Sequence, residues 1–362
     1  MDSVIRDSGV RDSAMRDSAV RDASPSHRHL ELLDRQLAHA LQIDGRMPFS
    51  RIAAAIGTSD RTVARRYHRL RADGVLRVVG LPDARSLGLV DWAVRIQCTP
   101  DASVAIASAL VERADTSWVG LASGGTEITC ITRAQGGSAQ GSMLLSKLPR
   151  TPRITGVTAH CILRPVAGLA GWPGRTEALD ARQAEELSRL AAPGAPSRDV
   201  RPGAADDRLF AVLAKDGRAG VPELAAATGW SESTVRRRID ELRSAGVLYF
   251  DVEIDPALYG YPYEAMLWLT VAPGELGTVA EALAGHPEVA FAAAVTGPSN
   301  MMAIVIVRDG DALYDYLATR VGALPGVRGA ETTLVTRHVK RGGAVVTPRR
   351  PPGPRGAAPA PS

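Results

Sequence analysis

The chain has 362 residues, 45% hydrophobic and 23% charged, the balance of a water-soluble globular protein long enough for two or more domains. A net charge of +4 is too small to bind polyanions by excess alone, so the placement of the arginines matters more than their sum. No apolar run approaches the roughly 20 residues that span a bilayer and no signal-type segment opens the chain. Three widely spaced cysteines (Cys98, Cys130, Cys161) argue against a disulfide framework or zinc site, so a cytoplasmic protein with buried thiols is expected.

Residues 1–28 repeat Arg-Asp-Ser (Arg6-Asp7-Ser8, Arg11-Asp12-Ser13, Arg16-Asp17-Ser18) and offer little to bury, which predicts a disordered arm. Residues 29–82 read as a helix-turn-helix head. Leu30, Leu33, Leu37 and Leu41 recur at helical spacing, and Asp44-Gly45 closes that helix. A short helix follows from Pro48 and Ser50, with Ile52 and Ile56 apolar. Gly57 turns the chain, and Ser59 caps a third helix that ends near Gly74. Val63, Tyr67 and Leu70 face inward on it, which leaves Arg61, Thr62, Arg65, Arg66 and Arg69 on the outer side. A short strand is expected at 77–81.

Residues 83–166 read as strand, helix, strand, strand, helix, strand at 92–98, 103–113, 118–122, 127–133, 142–148 and 158–163. Residues 167–203 are rich in Pro, Gly and Ala, a linker with one short helix near 179–190. The head then recurs at 204–254: positions 34–76 and 206–248 align without a gap, and about half are identical. Asp44-Gly45-Arg46 matches Asp216-Gly217-Arg218, Gly57 matches Gly229, Ser59 matches Ser231, and Arg65-Arg66 matches Arg237-Arg238. Ser233, Thr234, Arg237 and Arg238 face out here, with Arg236 on the flank. Asp240 and Glu241 replace His68 and Arg69, so the second head is less basic at its C-terminal end. A short strand is expected at 249–254. Residues 255–342 repeat the mixed pattern at 265–271, 275–284, 289–295, 301–307, 311–323 and 331–336, and a Pro- and Arg-rich disordered tail is expected at 343–362. The fold class expected is α+β: two winged-type helix-turn-helix domains, each followed by a ferredoxin-like βαββαβ module whose antiparallel sheet carries both helices on one face and needs a cover on the other.

A groove-reading helix needs cationic and short polar side chains outside: arginine grips guanine or phosphate, and Ser and Thr bond phosphate oxygens or base edges. Double-stranded DNA is therefore the expected partner. A solvated arginine face is the alternative for one copy; two copies in register weigh against it.

The head ending Arg-Arg-x-x-x-Leu-Arg-x-x-Gly-Val-Leu, the following short strand and the module ending Leu324-Pro325-Gly326-Val327 with Glu331-Thr332-Thr333-Leu334-Val335 resemble the Lrp/AsnC (feast/famine) family of transcription regulators. The resemblance covers about residues 30–166 and 204–341 and implies two complete regulator units in one chain. It implies pairing through the sheets, hence a homo-oligomer or an internal pseudo-dimer, and a small-molecule effector near the turn between the second and third strands. Those turns hold Gly124, Thr126 and Glu127 in the first unit and Gly297, Ser299 and Asn300 in the second. The family's aspartate is missing from both, which counts against an amino acid as effector; plain hairpin turns are the bland alternative.

Sirohaem decarboxylases resemble the same architecture and make an enzyme the rival reading. The nearest fragments of their motifs, His160-Cys161 and Trp172-Pro173, fall on a strand and in the linker, not in the implied context. The seven histidines form no metal-ligand spacing, no Ser-His-Asp or phosphate-loop signature occurs, and no cofactor, metal or catalytic residue is assigned. A sensing or scaffold protein whose heads have lost DNA binding is a third reading, best suited to the second head.

Overall fold

The computed structural model describes residues 30–135, 148, 151–168, 172, 176–191 and 200–342. The first half runs α1 (Leu32–Ile43), α2 (Phe49–Ile56), α3 (Asp60–Ala72), β1 (Leu76–Pro82), β2 (Leu89–Cys98), α4 (Ser103–Val111), β3 (Thr116–Ala122), β4 (Glu127–Gln135) and β5 (Ile154–Ala167). After α5 (Ala181–Ala191), the second half repeats the order. It comprises α6 (Ala204–Leu213), α7 (Val221–Thr228), α8 (Glu232–Ser244), β6 (Leu248–Ile254), β7 (Tyr263–Val271), α9 (Leu276–Ala284), β8 (Val289–Val295), β9 (Met301–Val307), α10 (Gly310–Asp315) and β10 (Val327–His338). The helix expected at 311–323 begins as α10 and widens into a π-helical turn over Tyr316–Val321. The expected arm and tail lie outside the described residues, as does the helix at 142–148 except Leu148.

The strand after each head does not stay with its own head. β1 and β6 pair antiparallel, Leu76 opposite Ile254 through Pro82 opposite Leu248, into a two-stranded ribbon. Alternation puts Leu76 and Val78 of β1, and Leu248, Phe250, Val252 and Ile254 of β6, on one side. These residues complete a single apolar core with Leu37, Leu41, Ile52 and Tyr67 of the first head and Leu209, Leu213, Val235 and Leu242 of the second. The linker helix belongs to this body too: Leu187 of α5 is fully buried, and Gln183 donates to the Ala55 carbonyl at 2.9 Å.

Each module sheet has the order fourth-first-third-second of the ferredoxin-like pattern: β5-β2-β4-β3 and β10-β7-β9-β8. β5 pairs with β8 and β10 with β3, so the two sheets close into one eight-stranded barrel. The face away from the helices is thus covered by the sister module of the same chain, and neither module sheet has a free edge. Of the two pairings expected through the sheets, the internal pseudo-dimer is the one formed here.

Candidate nucleic-acid interface

Both third helices start alike. Gly57 and Gly229 take left-handed backbone (φ 70° and 78°), where a side chain would be strained, and turn the chain from the second helix. Ser59 and Ser231 then accept the N–H of Thr62 and Thr234, each at 3.2 Å. Val63, Tyr67 and Leu70 are buried on α3, as are Val235, Ile239 and Leu242 on α8. The inward stripe expected from spacing is therefore present in both.

The outer faces divide in a way that spacing alone does not give. Arg61 and Arg65 are exposed and make no ion pair among the described residues. Arg66 is only 20% exposed and turns back onto α1, bonding Asp34 at 3.0 Å and Glu31 at 2.6 Å. Arg69 shares Asp34 at 2.8 Å while half exposed. The second head copies the first clamp: Arg238, 19% exposed, holds Asp206 at 2.9 Å through two nitrogens. These carboxylates hold both guanidiniums above the usual arginine range. The expectation that Arg66 and Arg238 stand free on the outer face is corrected: both tie the third helix to the first helix of their own head. Arg237 is 72% exposed but lies 3.4 Å from Glu241, and Arg236 lies 3.0 Å from Glu232. Ser233 is exposed and Thr234 half-buried beside the cap.

The heads are locked together by the matched Asp-Gly-Arg turns, read from sequence only as helix ends. Arg46 donates to the carbonyls of Gly217 (2.7 Å) and Ala219 (3.1 Å), and Arg218 donates to that of Gly45 (2.7 Å). Asp44 receives Arg243 at 2.9 Å and Asp216 receives Arg71 at 2.8 Å, again reciprocally. Arg218 also stacks 4.3 Å from the Phe49 ring centre. A side chain at Gly217 would meet the Val79 carbonyl carbon at 2.9 Å. The identical turn in both copies is the trace of this two-fold contact.

The turn residues expected near an effector have structural tasks. Thr126 bonds the Ser123 carbonyl across the Gly124 turn at 2.8 Å, and Asn300 braces both backbone groups of Val271 at 2.8 Å. Glu127 pairs with Arg95 at 2.7 Å, and Arg95 reaches across the barrel to Glu331 at 2.5 Å. Gly297 packs against His160, and Ser299 is half-buried. None of the six lines the cavity of about 290 Å³ between the ribbon and the barrel interior. That cavity is lined instead by side chains of both modules, among them Asp91, Arg133, Glu264 and His338. Asp91 pairs with Arg133 at 2.8 Å and Glu264 with His338 at 2.8 Å; the His338 contact helps hold Glu264 below the usual carboxylate range against its burial. Burial pushes the Cys130 thiol up to about 12, and Cys98 and Cys161 upward as well. Among the described residues no His, Cys, Asp and Glu side chains cluster as a metal site, and no helix is long and apolar enough to cross a membrane.

A profile of the AsnC-type helix-turn-helix domain matches residues 30–71 and 204–243, and one of the Lrp/AsnC ligand binding domain matches 264–345. The HTH-type transcriptional regulator FL11 of Pyrococcus horikoshii is 33% identical over 136 residues, 37% of this chain and 89% of that protein. The regulator LrpA of the same organism is 28% identical over 136 residues, 37% of this chain and 96% of that protein. Each match is about one of the two units. Among solved structures, the siroheme decarboxylase NirDL shares the fold over 86% of this chain and 93% of that one, with a TM-score of 0.56 at 13% identity.

Proposed function

The chain belongs to the Lrp/AsnC family of transcriptional regulators, and from that premise we propose that it binds double-stranded DNA as a single-chain pseudo-dimer. α3 and α8 enter successive major-groove segments, and one chain does what two chains do when each carries a single head. The observation that carries this reading is the reciprocal Asp-Gly-Arg clamp, which joins the two heads and their third helices in one compact unit. On α3 the DNA contacts are Arg61, Thr62, Arg65 and the half-exposed Arg69. On α8 they are Ser233, Thr234, Arg236 and Arg237. Arg66 and Arg238 act as positioning residues. Because, among the described residues, α3 has exposed arginines without an ion pair and α8 has none, the first head supplies most of the affinity, and the operator is asymmetric.

Electrophoretic shift with fragments upstream of its own gene and across the genome tests this. One chain per site and a steep loss of affinity with salt are expected; no salt-sensitive binding to any fragment removes the reading.

We also read the chain as non-enzymatic. Its likeness to a siroheme decarboxylase at 13% identity concerns architecture. His160 is buried with its ring on the Thr296 carbonyl at 2.7 Å, and Trp172 donates to the Pro287 carbonyl at 2.9 Å, so both motif fragments serve packing. Incubation with an iron-uroporphyrin-type substrate is expected to leave its absorbance spectrum unchanged.

A further inference from the structure

The cavity behind the ribbon carries chemistry that the DNA-binding reading leaves unused. Its ribbon wall follows from alternation along β6: the even-numbered residues fill the head core, so Tyr249, Asp251 and Glu253 line the other side. In register on β1 stand Leu81, Val79 and Arg77. Glu253 therefore meets a cation, Arg77, through Oε2 at 2.9 Å, whereas its buried Oε1 has no hydrogen-bond partner. Asp251 stands opposite Val79 and forms no salt bridge among the described residues. Burial, reinforced by the Glu253 charge, pushes its carboxyl up to about 7 against the Val252 N–H and Arg341, which favour the ionised form.

Asp91 is matched with Arg133 and Glu264 with His338; Arg341, which also lines the cavity, donates to the Ile254 carbonyl at 2.9 Å and forms no salt bridge among the described residues. Between them Met266, Phe291, Met302 and Ile131 form an apolar wall. Trp268, 1% exposed, lines the same space, and its indole N–H has no partner. A buried carboxyl without a counter-charge is strongly destabilised. Here two share one strand face, with an unmatched oxygen on Glu253 and, on Asp251, only the charge of Arg341 acting without a salt bridge. An entering cation relieves both.

We propose that this cavity binds a small organic cation, an ammonium or amidinium group on an apolar body, with the charge seated between Asp251 and Oε1 of Glu253 and the body against Met266, Phe291 and Met302. The volume of about 290 Å³ lies at the small end of the roughly 300–1,000 Å³ typical of ligand pockets, which selects a compact amine. The indole N–H of Trp268 is left for one acceptor on that body. β1 and β6 follow directly on α3 and α8, so an occupant touching β6 bears on the ribbon that holds both third helices. This coupling to DNA rests on the regulator reading; the binding itself does not.

The test titrates the full chain with 2-phenylethylamine, benzamidine and cyclohexylamine, beside N-acetyl-2-phenylethylamine (neutral) and 3-phenylpropionate (anionic). The readouts are calorimetry and the fluorescence of Trp118, Trp172 and Trp268, which line the cavity. At least one amine is expected to bind saturably, and about tenfold more tightly than both uncharged and anionic analogues. Asp251→Asn keeps the shape of the side chain and is expected to fold and to weaken the amine about tenfold; Glu253→Gln is the second variant. The proposal falls if no amine binds at millimolar concentration, if the neutral or anionic analogue binds as well, or if both variants bind the amine like the natural chain. Gel shift with and without the amine separates the two readings: amine binding without any DNA binding sinks the regulator reading and leaves the site. DNA binding without amine binding does the reverse.

Discussion

The two heads are near copies that differ in what surrounds their arginines. On α3, Arg61 and Arg65 form no ion pair among the described residues, whereas on α8 both exposed arginines, Arg236 and Arg237, have a glutamate one turn away. Such exposed pairs contribute little to stability, but they lower the positive potential that a phosphate meets. Beneath this difference the scaffolds agree: Arg66 on Asp34 and Arg238 on Asp206 are the same clamp, and the Asp-Gly-Arg turns dock reciprocally. The two heads thus agree in their interior and differ on the outer face of the third helix.

Four measurements sharpen or break that comparison. The largest effect is expected where the heads meet. Gly217→Ala puts a Cβ against the Val79 and Val78 backbone, and Gly45→Ala puts one against the Phe250 Cβ, which its own backbone holds, and the Val78 Cγ1. Urea denaturation should show a loss of about 3 kcal/mol for either substitution, overpacking being of this order. A loss below about 1 kcal/mol for both would mean that the contact is softer than its geometry.

Next come the clamps. Asp206 bonds Arg238 twice and also caps the Gly203 N–H at 2.8 Å; Asp34 has no such cap. Asp206→Ala should cost about 2–3 kcal/mol and Asp34→Ala rather less, below a fully buried pair because the arginines reach water. A reversed order would detach the cap from the account.

On DNA, Arg65→Ala should weaken binding about tenfold and Arg237→Ala about threefold, the scale of one lost arginine contact. Fluorescence anisotropy at fixed salt decides this, and equal losses would remove the asymmetry between the heads.

The last measurement concerns the ribbon, where Val79 of the first copy stands in the place of Asp251 in the second. A carboxyl raised to about 7 in the folded chain and near 4 when unfolded keeps its proton only in the fold across that window. Stability therefore falls as pH rises from about 4 to about 7 and flattens above. Relative to Asp251→Asn, the natural chain should lose less than about 1 kcal/mol between pH 7 and pH 8, and progressively more between pH 5 and pH 7. Parallel melting curves for the two proteins over the whole range would show that Asp251 ionises normally.

Much of this molecule is legible in its residues. The duplicated apolar spacing, the Gly turns and the Ser caps locate all six head helices, and β8 and β9 begin and end with their continuous apolar runs. Long strands ran past their apolar centres: β5 and β10 extend well beyond 158–163 and 331–336, at their starts along β2 and β7 of their own modules and at their ends along β8 and β3 of the sister module, contacts that leave no local pattern. The site reads unevenly for the same kind of reason. Arg61 and Arg65 follow from helical phase, but the inward turn of Arg66 depends on Asp34 arriving from another helix. The hairpin-turn residues look equally polar whether they hold a ligand or their own loop, and Asn300 holds its loop.

Local physics thus determined the units themselves: periodicity fixes a helix face or strand, and a cap or left-handed glycine fixes its end, because each involves residues a few positions apart. Which unit covers which sheet, that the two heads share one core, and that two carboxyls on β6 end up facing a cavity were decided only when distant segments closed on one another. Those outcomes depend on long-range burial and charge pairing, which no short window of sequence contains.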